Sequence, residues 1–316
     1  MTTTNRTELA LAVDIGGTKV DAALVDVNGE PRVESRHRVP TGANATRDEL
    51  IAAIGTAAEF ALGALGPTDT LLGAGIGSAG PISLPNGSIS PLNLPQLRGF
   101  TVREFVAERV HARVADAPVT LRLDGTCIAL AEHWLGATRG IDNSMAMVVS
   151  TGVGGGIILG GRVLAGDSGN AGHIGQLQIG TRTPGRTSES VSLEDLAAGP
   201  PTVGWAQSQG WNGTTGEELA ADYAEAQPLA IRAVRRSSTA VGEAIASVAT
   251  LLDLRHVAIG GGFSNVASDY IEQVLETIRE CAIFDYARAV AVTRSGLSGN
   301  GPLIGAAALI HRADLL

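Results

Sequence analysis

Twice in this chain a short apolar run stops at a glycine turn and a second apolar run resumes at once. The first copy reads LALAVDI, GGTK, VDAALVDV from Leu9; the second reads AMVVST, GVGGG, IILGGRVL from Ala146. Neither leaves room for a helix after the glycines, so each is strand, turn, strand. Glycine lets the backbone N–H groups of such a turn approach an anion with no Cβ in the way, and successive N–H groups make an anion-binding concavity. A third glycine loop, Gly260 to Gly262, follows the apolar run HVAI. Walker A spacing is absent, and a dinucleotide fingerprint would have to open a helix. Three such loops fit a nucleotide held between two lobes. The 41 glycines among 316 residues are about 13%, against a usual 7%.

Around these loops strands alternate with helices. Residues 47–65 carry apolar side chains at helical spacing, LLGAGIGSAGPIS reads as a buried strand breaking into a loop, and 101–113 as a short helix capped by Thr101. VTLRLD reads as a strand with a helix behind it, residues 215–254 as mostly helical, and GPLIGAAALIHRA as a terminal helix, while 180–192 is polar and loop-like. That alternation argues α/β. The expected domains are a smaller lobe over 1–120, with the helix near 300–316 packing back on it, and a larger lobe over 121–299.

Composition excludes several classes. A charge of −9 with no basic run gives no concentrated positive field for nucleic acid. No apolar stretch reaches the roughly 18–20 residues of a membrane span, and Asp14 interrupts the N-terminal apolar run too soon for a signal peptide. Two cysteines, Cys127 and Cys281, cannot staple a chain of this size, so a reducing, cytoplasmic setting is expected.

DIGGTK, STGVGGGI, GHIG and IGGG, in that order along nearly the whole chain, resemble the ROK family (repressors, open reading frames and sugar kinases). The resemblance implies the actin-like ATPase (ribonuclease H-like) fold, two α/β lobes with ATP and a sugar in the cleft between them. It implies that Gly16, Gly17 and Thr18 face the terminal phosphates, with Lys19 beside them, and that Thr151, Gly152 and Gly154 form a second phosphate loop. Gly261 and Gly262 would lie near the adenosine, and Asp14 would act on Mg²⁺ through water. On the sugar side it implies Gly80, Asn93, Asn170, His173 and Glu194, with Asp124 as the base. The departures are as informative: the family's Asn-Asp pair is Leu123-Asp124 here, and the Glu of its ExGH element is Asn170. The cysteine positions of its zinc segment read Gly185, Thr187 and Ser192. Zinc needs several Cys or His ligands, so no structural zinc is expected.

Each residue also has a plainer use. Asp14 could simply form a turn, Asp124 could be a helix N-cap, Lys19 could face solvent, and Cys127 could be a small buried residue. Taken with the family pattern, the reading is an ATP-dependent kinase that phosphorylates O6 of a hexose, glucose by default, with Asp124 taking the hydroxyl proton. Aminohexoses such as kanosamine, N-acetylmannosamine and N-acetylglucosamine are the alternative substrates, and polyphosphate an alternative donor. A homodimer is expected. A catalytically silent sugar-binding protein is the rival class. A repressor would need a helix-turn-helix ahead of Asp14, where only 13 residues stand.

Overall fold

The computed structural model describes residues 6–42, 44–179, 191–297 and 299–316. In chain order the strands and helices begin with β1 (Thr7–Ile15), β2 (Lys19–Asp26), β3 (His37–Pro40), α1 (Arg47–Gly63) and β4 (Asp69–Ser78). A small hairpin, β5 (Ile82–Ser83) and β6 (Ser88–Ile89), precedes α2 (Val102–His111), β7 (Val119–Leu123) and α3 (Asp124–Trp134). The second block runs β8 (Ser144–Val149), β9 (Val153–Leu159), β10 (Arg162–Val163), α4 (Leu193–Ala197), α5 (Gly199–Ser208), α6 (Gly216–Ala224) and α7 (Pro228–Leu252). It closes with β11 (His256–Gly260), α8 (Tyr270–Cys281), α9 (Asp285–Arg288), β12 (Ala291–Arg294) and α10 (Gly301–His311).

Contacts divide the chain into two units. Unit 1 holds residues 1–139, 156–172 and 297–316; unit 2 holds 140–155 and 173–296. Unit 1 therefore extends beyond the break expected at 120. The reason is α3, which packs on α10 and β4 and so stays with the N-terminal sheet.

The sheet of unit 1 has the order β3-β2-β1-β4-β7, antiparallel from β3 to β1 and parallel from β1 through β4 to β7. Period-2 alternation sorts β1 between two faces. Leu9, Leu11, Val13 and Ile15 join α1 and α2 in one core, while Ala10 and Ala12 meet α10 in another. Both faces are buried, so the strand reads as a continuous apolar run. The residues on the α10 face are small because backbones meet there. A Cβ on Gly75 would lie 1.8 Å from the Ala306 carbonyl oxygen, and one on Gly305 would lie 1.9 Å from that of Cys127. Asp14 follows Ala10 and Ala12 on this face by the same alternation.

In unit 2, β11 lies parallel to β8 on one side and β12 on the other. Helix α7 buries Ala230, Val234, Val241 and Ile245 along one stripe, the helical period read from the sequence. Sequence reasoning gave no element to 193–208, where α4 and α5 stand. Helix α4 is one turn long, and α5 opens with Pro200 and Pro201, which read as a break although proline suits a first helical turn. At α2, Thr101 holds the N-cap position but makes no side-chain cap hydrogen bond. Thr46 does cap α1, with Glu49 returning the bond to the Thr46 N–H. Segment 180–192, expected as a loop, lies outside the described residues up to 190. Among the described residues no helix is long and apolar enough to cross a membrane.

Candidate active site

The first glycine turn closes with the Gly16 N–H donating to the Lys19 carbonyl at 3.0 Å. Just before it, Asp14 is only 8% exposed and pairs across the strands with Asp21. The Asp14 carboxyl is pushed up to about 7, first by burial, then by the negative charges of Asp124 and Asp21. Lys19 and Arg38 pull it back only in part. Asp21 behaves differently. Burial would raise it, but Arg36 and Arg38 both donate to its carboxylate, at 2.7 Å each, and hold it below the usual value. Sequence reasoning missed this cluster. Its signal was a charged residue inside a buried apolar strand, which needs a partner.

Asp124 stands where β7 becomes α3, so the sheet's parallel strands bring it to the same end as Asp14. It is the first residue of the helix, and Leu123 occupies the N-cap position. Its Oδ1 accepts from the Gly125 N–H at 2.7 Å. Behind the pair, Cys127 is buried and its thiol is pushed far up by burial and by the charges of Asp14 and Asp124. A thiol held neutral in this way is the small buried residue expected.

The chain leaves β4 through Gly80 and Pro81 into the β5–β6 hairpin. Leu92 N–H donates to the Gly80 carbonyl at 3.2 Å and Ser90 N–H to that of Pro81 at 2.8 Å, so the hairpin returns the chain to Asn93. A Cβ on Gly17 would lie 2.2 Å from Asn93 Nδ2. The turn expected at the phosphates and the asparagine expected at the sugar are thus in contact, and a side chain at position 17 would displace the Asn93 amide. Asn170, also expected on the sugar, has its amide against Ile82. Its Oδ1 accepts from the Ile82 N–H and its Nδ2 donates to the Ile82 carbonyl, both at 2.8 Å.

Unit 2 contains a cavity of about 580 Å³, within the usual range for small-ligand sites. Its walls include Ser150, Thr151, Gly199, Thr215, Gly262 and Phe263. Thr151 and Gly262 were legible as glycine-loop residues; Gly199 on α5 and Thr215 before α6 were not, since nothing local marks them. Gly261 faces the other way: its φ is +97°, and a Cβ there would lie 2.4 Å from the Val149 carbonyl oxygen. In the second glycine loop the Ser150 N–H donates to the Gly152 carbonyl at 2.9 Å. Gly154 is half-buried within β9, and a Cβ on it would meet nothing within 4 Å.

Glu194, expected on the sugar, is bonded to that loop. Its Oε2 accepts from the Val153 N–H at 2.8 Å, and a Cβ on Gly152 would come within 2.7 Å of the same oxygen. His173 is half-buried at the start of a short turn, Ile174–Gln176.

Of the positions where the family's zinc segment has cysteine, Gly185 and Thr187 lie outside the described residues. Ser192 is a helix cap: its hydroxyl accepts from the Asp195 N–H at 3.2 Å, and Asp195 accepts from the Ser192 N–H at 2.9 Å. Among the described residues no three His, Cys, Asp or Glu side chains gather as a metal site. By residue type, Gly185, Thr187 and Ser192 are not zinc ligands. Elemental analysis of the purified protein is expected to find less than one zinc per chain, and a chelator to leave the melting temperature unchanged. One tightly bound zinc per chain would overturn this.

Comparison with known proteins places the chain in a family. The sequence model of the ROK family matches residues 10–313. The N-acetylmannosamine kinase of Yersinia pseudotuberculosis is 31% identical over 271 residues, 84% of this chain and 86% of that protein. The crystal structure of a ROK hexokinase from Thermus thermophilus superposes with a TM-score of 0.78 at 32% identity, covering 97% of this chain and 99% of that one. A ROK family glucokinase from Streptomyces griseus, in complex with glucose and AMPPNP, gives a TM-score of 0.79 at 25% identity, covering 96% and 99%. The fold is the α/β actin-like ATPase fold expected from the sequence.

Proposed function

Because this chain belongs to the ROK family, we propose that it is an ATP-dependent sugar kinase that transfers the γ-phosphate to the 6-hydroxyl of a hexose, with Asp124 as the base. The observation that carries the reading is the pair Asp14 and Asp124: two carboxylates at one end of the unit 1 sheet, beside a glycine turn, with the charge of one raising the proton affinity of the other. Phosphoryl transfer can use that arrangement, one carboxylate taking the hydroxyl proton and the other holding the cation that neutralises phosphate charge. The relatives' names and the AMPPNP complex support the same reaction class.

In this mechanism Asp124 accepts the proton of the sugar hydroxyl as the new O–P bond forms. The bond from the γ-phosphorus to the bridging oxygen breaks, and ADP leaves with that electron pair. In unit 1 Gly17 and Thr18 present backbone N–H groups to phosphate oxygens, while Gly16 closes their turn on the Lys19 carbonyl. In unit 2 Thr151, Gly152 and Gly154 are the residues of the second phosphate loop. The unit 2 cavity holds the adenosine, with Gly262 in its wall and Gly261 shaping the turn behind it. Asn93, beside Gly17, and His173 hydrogen-bond sugar hydroxyls. Glu194 keeps the second loop in shape through the Val153 N–H, and its Oε1, which accepts from the Gln176 amide at 3.4 Å, keeps a lone pair for a sugar hydroxyl.

A buried carboxylate that would otherwise hold a proton up to pH 7 fits a hard cation, and Asp14 is the residue that would hold Mg²⁺, directly or through water. When bound, the ion supplies neutralisation of phosphate charge.

The test is a phosphorylation screen of hexoses and aminohexoses with ATP and with polyphosphate, the product's phosphate position being read by NMR. A 6-phosphate formed from ATP is the expected result. Calorimetric sugar binding with no turnover of any sugar would make this a silent binding protein and end the proposal.

A further inference from the structure

Asn170 occupies the position where the family pattern has a glutamate, and its surroundings explain the exchange. The Ile82 N–H and carbonyl point outward from β5, an edge strand of a two-stranded hairpin, while the Ile82 side chain is buried in the core of unit 1. An edge strand offers an unpaired donor and an unpaired acceptor. The Asn170 amide meets both, accepting from the Ile82 N–H and donating to its carbonyl, each at 2.8 Å. It thus pairs with β5 as one residue of an added strand would.

Its remaining donor capacity goes to Ser168, at 3.3 Å to the carbonyl and 3.1 Å to the hydroxyl. Next to it, Gly169 has φ +85°, and a Cβ there would lie 2.5 Å from Leu84. The loop is therefore pressed on the hairpin at two points. A carboxylate has acceptors only and could answer the Ile82 N–H but not its carbonyl.

We infer that Asn170 is a positioning residue: it ties the 168–170 loop to β5 and so fixes the Gly80 to Asn93 segment that presents the sugar-binding asparagine beside Gly17. This rests on the sugar-kinase reading above. Its consequence is that the amide acts on sugar affinity through Ile82, and the residue makes no bond to a sugar hydroxyl.

The experiment uses Asn170→Ala and Asn170→Asp in the full chain. Loss of the double hydrogen bond is expected to raise the sugar KM by about 10-fold in Asn170→Ala, leaving the KM for ATP and the melting temperature near wild type. Asn170→Asp discriminates most sharply, because a positioning role and a contact role predict opposite signs. Placing a carboxylate against the Ile82 carbonyl should raise the sugar KM, whereas a charged acceptor touching the sugar would lower it. The KM ratio of Asn170→Ala to wild type should also be the same for glucose and for each monodeoxyglucose. One deoxy sugar indifferent to the substitution would reveal a direct contact and overturn the inference.

Amide hydrogen exchange over residues 79–93, faster in both variants, reads the tether independently of turnover. If wild type phosphorylates no sugar, the kinase reading fails while exchange still decides the tether. Unchanged exchange in Asn170→Asp overturns it, and that variant also decides the matter if Asn170→Ala does not fold.

Discussion

Asp124→Asn should lower kcat by about 10² to 10⁴-fold, the range for loss of a positioned general base, with the melting temperature and the sugar KM nearly unchanged. The amide has the shape of the carboxylate, and its oxygen can still accept from the Gly125 N–H, now at 2.7 Å. It cannot take up the proton of an attacking hydroxyl. A plain structural role would give the opposite split, a lower melting temperature with kcat preserved. The substitution also removes the charge that helps raise Asp14, so the Asp14 carboxyl should titrate lower in the variant, observable by carboxyl-labelled NMR. A variant retaining most of its turnover would mean that Asp124 is not the base.

Asp14→Asn should cost activity and add stability. The ordinary value of this carboxyl is 3.8, and in the folded protein it is pushed up to about 7, by burial first and then by Asp124 and Asp21. Between those values the folded state keeps a proton that the unfolded chain has released, so stability falls as pH rises from about 4 to 7. Above 7 both states are ionised, and the folded protein bears the full cost of a buried carboxylate, roughly 4 kcal/mol for a shift of this size. The neutral amide escapes that cost.

At pH 8 Asp14→Asn is therefore expected to melt several degrees above wild type, and near pH 4 the two should converge. Activity should drop by about 10²-fold or more, since the group that would hold the cation at the phosphates is gone. Denaturant melts from pH 4 to 9 beside kcat measurements check both halves. A variant less stable than wild type at pH 8 would show that the Asp14 charge is not a burden on the fold.

Local pattern was enough for much of this protein. The strand–turn–strand units are legible because an apolar run ended by glycine has few alternatives, and α1, α2 and α7 follow from helical spacing of apolar residues. Asp14 and the glycine loops could be named from residue type and order, whereas Asp124 and the absence of cysteine at 185, 187 and 192 were named through the resemblance to the ROK family. These features are carried within a dozen residues, where backbone sterics and side-chain periodicity act.

What needed the tertiary structure is what depends on residues far apart in the chain. The first unit runs past 120 because α10 returns almost two hundred residues later to pack on α3 through Gly305. The elevated Asp14 carboxyl arises from burial and from a charge 110 positions away, and neither is visible in DIGGTK. Glu194 meets the Val153 N–H across 41 positions, and Asn170 meets Ile82 across 88. A sequence names the donors and acceptors of such side chains, but only chain closure decides which backbone group each one faces.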